Sequence, residues 1–104
     1  MALIQRSSDF CVAWSINGFQ YSILQTMVAH SSGLKPGKFT HFIGNCHVYD
    51  RHLEQGKELL TREMVVTPLV KVAVKDFYEY TVDDVQVFDY EPTGTQLQFE
   101  LAKQ

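Results

Sequence analysis

Apolar and polar positions alternate along several stretches of this chain, and their spacing divides it into strands and helices. The longest alternating stretch is Phe39-Thr40-His41-Phe42-Ile43-Gly44-Asn45-Cys46-His47-Val48-Tyr49. At strand period, Phe42, Gly44, Cys46 and Val48 fall on one side, fit for a core. His41, Ile43, Asn45, His47 and Tyr49 fall on the other. That second side lines up imidazole, amide and phenol groups, each of which needs a partner or water once covered. His47 and Tyr49 point the same way, as a donor–acceptor pair suited to a hydroxyl-bearing ligand. Two readings are open: a half-exposed strand whose polar groups meet water, and a wall that faces a ligand. Spacing alone slightly favours the former.

The other elements follow in chain order. Leu3 to Asp9 reads as a strand ending in a polar turn, where Arg6 and Ser7 offer a charged fork and a hydroxyl. Such a pair suits phosphate, and equally an ordinary surface turn. Phe10 to Ser15 reads as a loop. Ser15 or Asn17 can cap a helix from about Asn17 to about Ser31, whose stripe of Phe19, Ile23, Leu24, Met27 and Val28 is expected to be core. Gly33 stops it, opening the turn Gly33-Leu34-Lys35-Pro36-Gly37. Asp50 can cap a second helix through about Glu63, with Leu53, Leu59 and Leu60 as its buried side and Glu58–Arg62 as a favourable i, i+4 pair. Gly56 interrupts that helix at a cost of up to about 1 kcal/mol unless something packs closely there. Val70, Val72 and Val74 alternate with Lys71, Ala73 and Lys75. Val85 to Tyr90 follows a turn at Thr81-Val82-Asp83-Asp84. Pro92-Thr93-Gly94 predicts a hairpin to a last strand carrying Leu97, Phe99 and Leu101. The order β-α-β-α-β-β-β predicts an α+β fold, a mixed, largely antiparallel sheet with two helices, in a single domain over residues 1–104.

Composition narrows the classes of function. The chain has 104 residues, 45% hydrophobic and 20% charged, which leaves room for one domain and a modest core. Seven Phe and five Tyr imply dense aromatic packing or a surface that needs a partner. A net charge of -3 without a basic block argues against nucleic-acid binding. No stretch approaches the roughly 18 apolar residues of a membrane span, and no signal peptide is read. Cys11 and Cys46, with no CxxC, fit a reducing cytosol, and a cytoplasmic location is expected.

Tests for self-sufficient chemistry return little. Cys46 and His47 are strand neighbours that point apart, so His41, Cys46, His47 and His52 match no compact zinc pattern and no metal is expected. Cys46 is expected to face the core and Cys11 has no neighbouring base, so neither reads as a nucleophile. Asp83 and Asp84 read as a solvated turn. No catalytic residue is assigned.

Several motifs in register nevertheless resemble the C-terminal part of thymidylate synthase, in a bacterial and phage branch of that family. They are Gln5-Arg6-Ser7-Ser8-Asp9, Asn17 with Phe19-Gln20-Tyr21, Gly33-Leu34-Lys35-Pro36-Gly37-Lys38-Phe39, and Ile43-Gly44-Asn45-Cys46-His47-Val48-Tyr49. Arg51-His52, Arg62-Glu63, Val74-Lys75-Asp76-Phe77-Tyr78 and Thr81-Val82-Asp83-Asp84 complete the series. The resemblance covers nearly all of the chain. It implies a partial thymidylate-synthase-like fold in which Arg6 and Ser7 hold the phosphate of dUMP, and Asp9 lies near the pyrimidine and the folate. It places Asn17 at the pyrimidine edge, and His47 with Tyr49 at the ribose 3′-hydroxyl. Asn17 favours uracil, because relatives that hydroxymethylate dCMP carry aspartate there. With this support the ligand-facing reading of the His47–Tyr49 side is preferred.

The family reaction begins when a cysteine thiolate adds to C6 of dUMP, activating C5 toward 5,10-methylenetetrahydrofolate. That cysteine lies in a Pro-Cys motif upstream of the position of Arg6, and none of the five residues before Arg6 is cysteine. The resemblance therefore implies a dUMP-binding polypeptide that methylates dUMP to dTMP only when completed by a complementary N-terminal chain or segment. The alternative is a non-catalytic interaction or dimerisation module, a phage or prophage remnant forming a homo-oligomer. Departures from the family include Val12-Ala13-Trp14-Ser15-Ile16 where it has Leu-Gly-x-Pro-Phe, Asn45 where it usually has aspartate, and Ala102-Lys103-Gln104 in place of a short apolar C-terminus.

Overall fold

The computed structural model describes residues 1–64 and 66–101. Strands β1 (Ala2–Asp9) and β2 (Thr40–His47) lie parallel, in register from Ala2↔Thr40 to Asp9↔His47. Parallel strands need a crossover, and helix α1 (Ser15–Ser31) supplies it. Helix α2 (Leu53–Thr61) follows a 3-10 turn at Asp50–His52. Strands β3 (Leu69–Val72) and β4 (Val85–Phe88) form a separate antiparallel pair. The α+β class and the two helices hold, and the strand pairing is mixed, divided between two small sheets of opposite sense.

The loop expected over Phe10 to Ser15 is instead a π-helical turn, Phe10–Trp14, running directly into α1. Ser15 and Asn17 therefore do not cap: the helical turn before them already occupies the amides a cap would take. Ala13 sits there without strain, since Asp89 (φ 58) is the non-glycine residue with positive φ among those described. At its other end α1 stops as expected. Gly33 adopts φ 72, Leu34 N–H donates to the Ala29 carbonyl at 2.8 Å and Gly33 N–H to that of His30 at 3.2 Å, a Schellman closure. Asp50 makes no side-chain cap either, lying inside the 3-10 turn at the positive end of the helix dipole.

Two expected core faces are reversed. On β2, His41, Ile43 and His47 are half-buried, while Phe42, Gly44, Cys46 and Val48 are exposed. On α2, Leu53, Leu59 and Leu60 are exposed, and the covered side is His52, Gln55 and Gly56. The apolar stripe of α1 is only half-covered, with Phe19 and Val28 exposed. The reason is the same in each case. Two helices and two two-stranded sheets supply too few layers to cover both sides of anything. Among the described residues only Ala29, Ser8 and His52 are buried. The chain exposes 8260 Å² at 11.9 kDa, where a self-contained monomer of that mass exposes roughly 6000 Å².

The expected final hairpin does not form. Asp89 (φ 58) and Gly94 (φ 80) turn the chain from β4 back across α2, and residues 93–100 lie on that helix as a strap without a strand partner. Alternation survives: Leu97 and Phe99 are half-buried, Gln96, Gln98 and Glu100 exposed. The side chains of α2 and the 3-10 turn before it, with Arg62 just past the helix, replace the missing ladder. His52 Nε2 donates to the Glu100 carbonyl at 2.7 Å, Arg51 to the same oxygen at 3.3 Å, Gln55 to that of Gln98 at 3.3 Å, and Arg62 to those of Thr93 and Thr95 at 2.9 and 2.8 Å. The alternation was legible in the sequence; the element that would read it was not.

Candidate functional site

Ligands of open sheets built on parallel strands gather beyond the strands' carboxyl ends. Here those ends are Ser7-Ser8-Asp9 of β1 and Asn45-Cys46-His47 of β2. Ser7 stands beside Asn45 and Asp9 beside His47 in the parallel register, so all four point to one side. Tyr49 extends that side, its ring edge-on to His47 with centroids 5.3 Å apart. Arg51 places its guanidinium 5.0 Å from the centroid of the Tyr49 ring, a cation–π contact that holds the phenol in place.

The hydrogen-bond arrangement suits a hydroxyl ligand. His47 Nδ1 donates to the Asn45 carbonyl at 3.3 Å, which leaves Nε2 as the acceptor. One carboxylate oxygen of Asp9 and the hydroxyl of Ser8 are buried with no hydrogen-bond partner among the described residues. Buried polar atoms left this way cost free energy; Asp9 stands on the side shared with Ser7 and His47, and Ser8, beside Cys46, on the other. Arg51 carries no signal as a site residue in the sequence, because a cation–π contact depends on a turn not legible in the chain.

The other expected site residues are placed differently. Arg6 is exposed and, by strand alternation, on the opposite side of β1 from Ser7 and Asp9. Asn17 is half-buried in the first turn of α1, and its amide makes no hydrogen bond among the described residues. The structure thus brings Ser7, Asp9, His47 and Tyr49 together, and leaves Arg6 and Asn17 outside that group. A hollow of about 930 Å³ lies elsewhere. It is enclosed by Cys11, Val12 and Ile16, by Arg62 past the end of α2, and by the strap, and none of the six expected residues lines it. Gly44 is required by a close approach: a Cβ there would sit 2.9 Å from the Arg6 carbonyl oxygen.

The Cys11 thiol is not tuned for attack. Burial, and then the Asp9 carboxylate nearby, push the Cys11 thiol above its ordinary range, the opposite of activation. Cys46 is exposed, not core-facing as expected. Among the described residues, no group of three or more His, Cys, Asp or Glu is placed to hold a metal, and no helix is long and apolar enough to cross a membrane.

A β-α-β unit of parallel strands with polar groups past their carboxyl ends, flanked by a second helix and a small antiparallel sheet, defines the architecture. That architecture superposes on the thermostable thymidylate synthase A from Bacillus subtilis with a TM-score of 0.86 at 38% identity, over 93% of this chain and 36% of that one. The thymidylate synthase family model matches residues 1–103, and the chain belongs to that family. It is 45% identical to the thymidylate synthase of Streptococcus mutans and 44% identical to that of Streptococcus gordonii, in each case over 96% of this chain. It spans 37% of the length of these relatives.

Proposed function

We propose that this chain is the C-terminal, nucleotide-binding part of a thymidylate synthase, acting as one unit over residues 1–104 in the cytoplasm, and that it binds dUMP. Ser7 meets the phosphate, Asn17 the pyrimidine edge, and His47 with Tyr49 the ribose hydroxyl; Arg6, which leaves β1 on the other side, is not part of the Ser7 contact. The supporting observation is the side-by-side placement of Ser7, Asp9, His47 and Tyr49 at the carboxyl ends of β1 and β2, with His47 Nε2 left as an acceptor for a hydroxyl.

Methylation of dUMP to dTMP needs a thiolate nucleophile that neither Cys11 nor Cys46 provides, so this activity belongs to a complex with a complementary N-terminal chain or segment. The one-carbon unit would come from 5,10-methylenetetrahydrofolate. The donor set present fits it in part. The Asp9 oxygen, buried without a partner among the described residues, would be the acceptor for a pterin N–H. Asp9 and Asn17 would orient the ligands, and His47 would fix the sugar.

A second reading, an interaction module working as a homo-oligomer, has its own support. Ile4 and Phe42, in register on the uncovered side of the β1–β2 sheet, are 82% and 57% exposed. A thermal-shift titration of the full chain with dUMP and dCMP tests both, since a ligand of the folded state raises stability by mass action. A response to dUMP alone is expected. Equal or absent responses would remove the Asn17 role, and with a stable dimer would favour the interaction module.

A further inference from the structure

The guanidinium of Arg62 is more than a helix-end charge. Its Nη1 donates to the Thr93 carbonyl at 2.9 Å and its Nη2 to the Thr95 carbonyl at 2.8 Å, spanning the turn at Gly94. Glu58, one helical turn earlier, steadies Nη2 from behind at 3.2 Å. The turn is shaped to meet it. Gly94 lies in the left-handed region at φ 80, and a Cβ there would come 3.1 Å from Arg62 Cζ. The fork thus reads two main-chain carbonyls across a residue that only glycine fills without strain. Beyond that turn, the strap forms one side of the 930 Å³ hollow, with Thr93, Gly94, Gln96, Leu97 and Phe99 facing Cys11, Val12 and Ile16.

We propose that Arg62 is a latch, a positioning residue that holds residues 93–100 as a removable wall of this hollow. Segments held without a strand ladder and with most side chains in water open at the low end of the stability range. The strap's remaining anchors, Arg51, His52 and Gln55, lie toward the other end of α2, so breaking the Arg62 fork frees the wall at the hollow. The inference rests on the hollow and the fork, and stands whether or not dUMP binds.

The chain carries its own reporters. Cys11 lines the hollow, while Cys46 is exposed on β2 away from it. Alkylation of the full 104-residue chain by N-ethylmaleimide, followed by peptide mass, gives the Cys11 rate relative to Cys46. Arg62→Ala and Gly94→Ala are each expected to raise that ratio about ten-fold, the order of shift produced by losing hydrogen bonds from a charged donor. The double variant should go no further than the larger single one, because both break the same contact. Arg62→Lys, which keeps the charge but cannot fork, should fall between. The amide protection of β3–β4 should not change. An unchanged ratio in both single variants, or additive effects in the double, would overturn the latch. So would loss of β3–β4 protection in both Arg62→Ala and Gly94→Ala, since Arg62 would then hold the whole fold and not the strap. If Arg62→Ala alone fails to fold, Gly94→Ala, which retains the arginine, decides.

Discussion

The imidazole of His52, 1% exposed, donates from Nε2 to the Glu100 carbonyl at 2.7 Å and so joins the second helical segment to the far end of the chain. Its ring also stands edge-on to Phe99 at 5.3 Å. His52→Phe keeps a ring against Phe99 and removes the shorter donor, leaving the carbonyl only the 3.3 Å bond from Arg51. The expected cost is about 1–3 kcal/mol, read by urea unfolding, with faster proteolysis of residues 96–101. An unchanged midpoint would show that the bond contributes nothing.

Gly56 lies inside α2 where the backbone gains nothing from lacking a side chain. A Cβ there would meet Cys11 Sγ at 3.5 Å, an ordinary contact. Gly56→Ala should therefore stabilise the chain by up to about 1 kcal/mol through helix propensity. Thermal unfolding of the two proteins under one set of conditions checks the sign.

Gly44 is the opposite case, because the same methyl would sit 2.9 Å from the Arg6 carbonyl oxygen, and backbone cannot swing aside. Gly44→Ala should force β1 and β2 apart at a cost of about 1–3 kcal/mol. Hydrogen exchange should localise the loss to the amides between Gln5 and Asp9. Loss spread evenly over all strands would contradict it.

Asp84 sets a pH dependence. The Thr81 backbone N–H at 2.7 Å, and then the Lys75 ammonium at 2.9 Å, hold its carboxyl below the usual range. A carboxyl lowered by folding contributes stability above its unfolded value of about 4, and that contribution is lost as pH falls through the folded value. The parent should lose stability on acidification in this window more steeply than Asp84→Asn. Parallel acid titrations of the two proteins by circular dichroism would expose the difference.

Asn17→Asp tests the proposed reading of the pyrimidine. An aspartate at this position should weaken the response to dUMP and strengthen that to dCMP in the thermal-shift titration, since the two bases present opposite donors and acceptors at the edge concerned. If neither ligand distinguishes the two proteins, Asn17 does not touch the base.

Much of this was legible in the sequence, for identifiable reasons. Helical period and Gly33 placed α1 and its end; alternation placed β2 and the common direction of His47 and Tyr49. Alternation shows that a strand has two sides, but not which one is covered, so Phe42 and Cys46 read as the core side while His41 and Ile43 are the half-buried ones. Leu97 and Phe99 alternate as a strand would, yet the carbonyls of Thr93, Thr95, Gln98 and Glu100 around them are met by side chains of His52, Gln55 and Arg62, which no local period announces. Arg6 and Ser7 read as a phosphate pair because they are adjacent, and adjacency in a strand is what sends them to opposite sides.

Among the described residues each of the four strands is paired along a single edge. The outer edges of β1, β2, β3 and β4 therefore offer amides and carbonyls to any second chain that arrives in strand geometry. Concentrated preparations should thicken into assemblies unless a companion polypeptide is present during synthesis, and production together with such a companion is the route to well-behaved material.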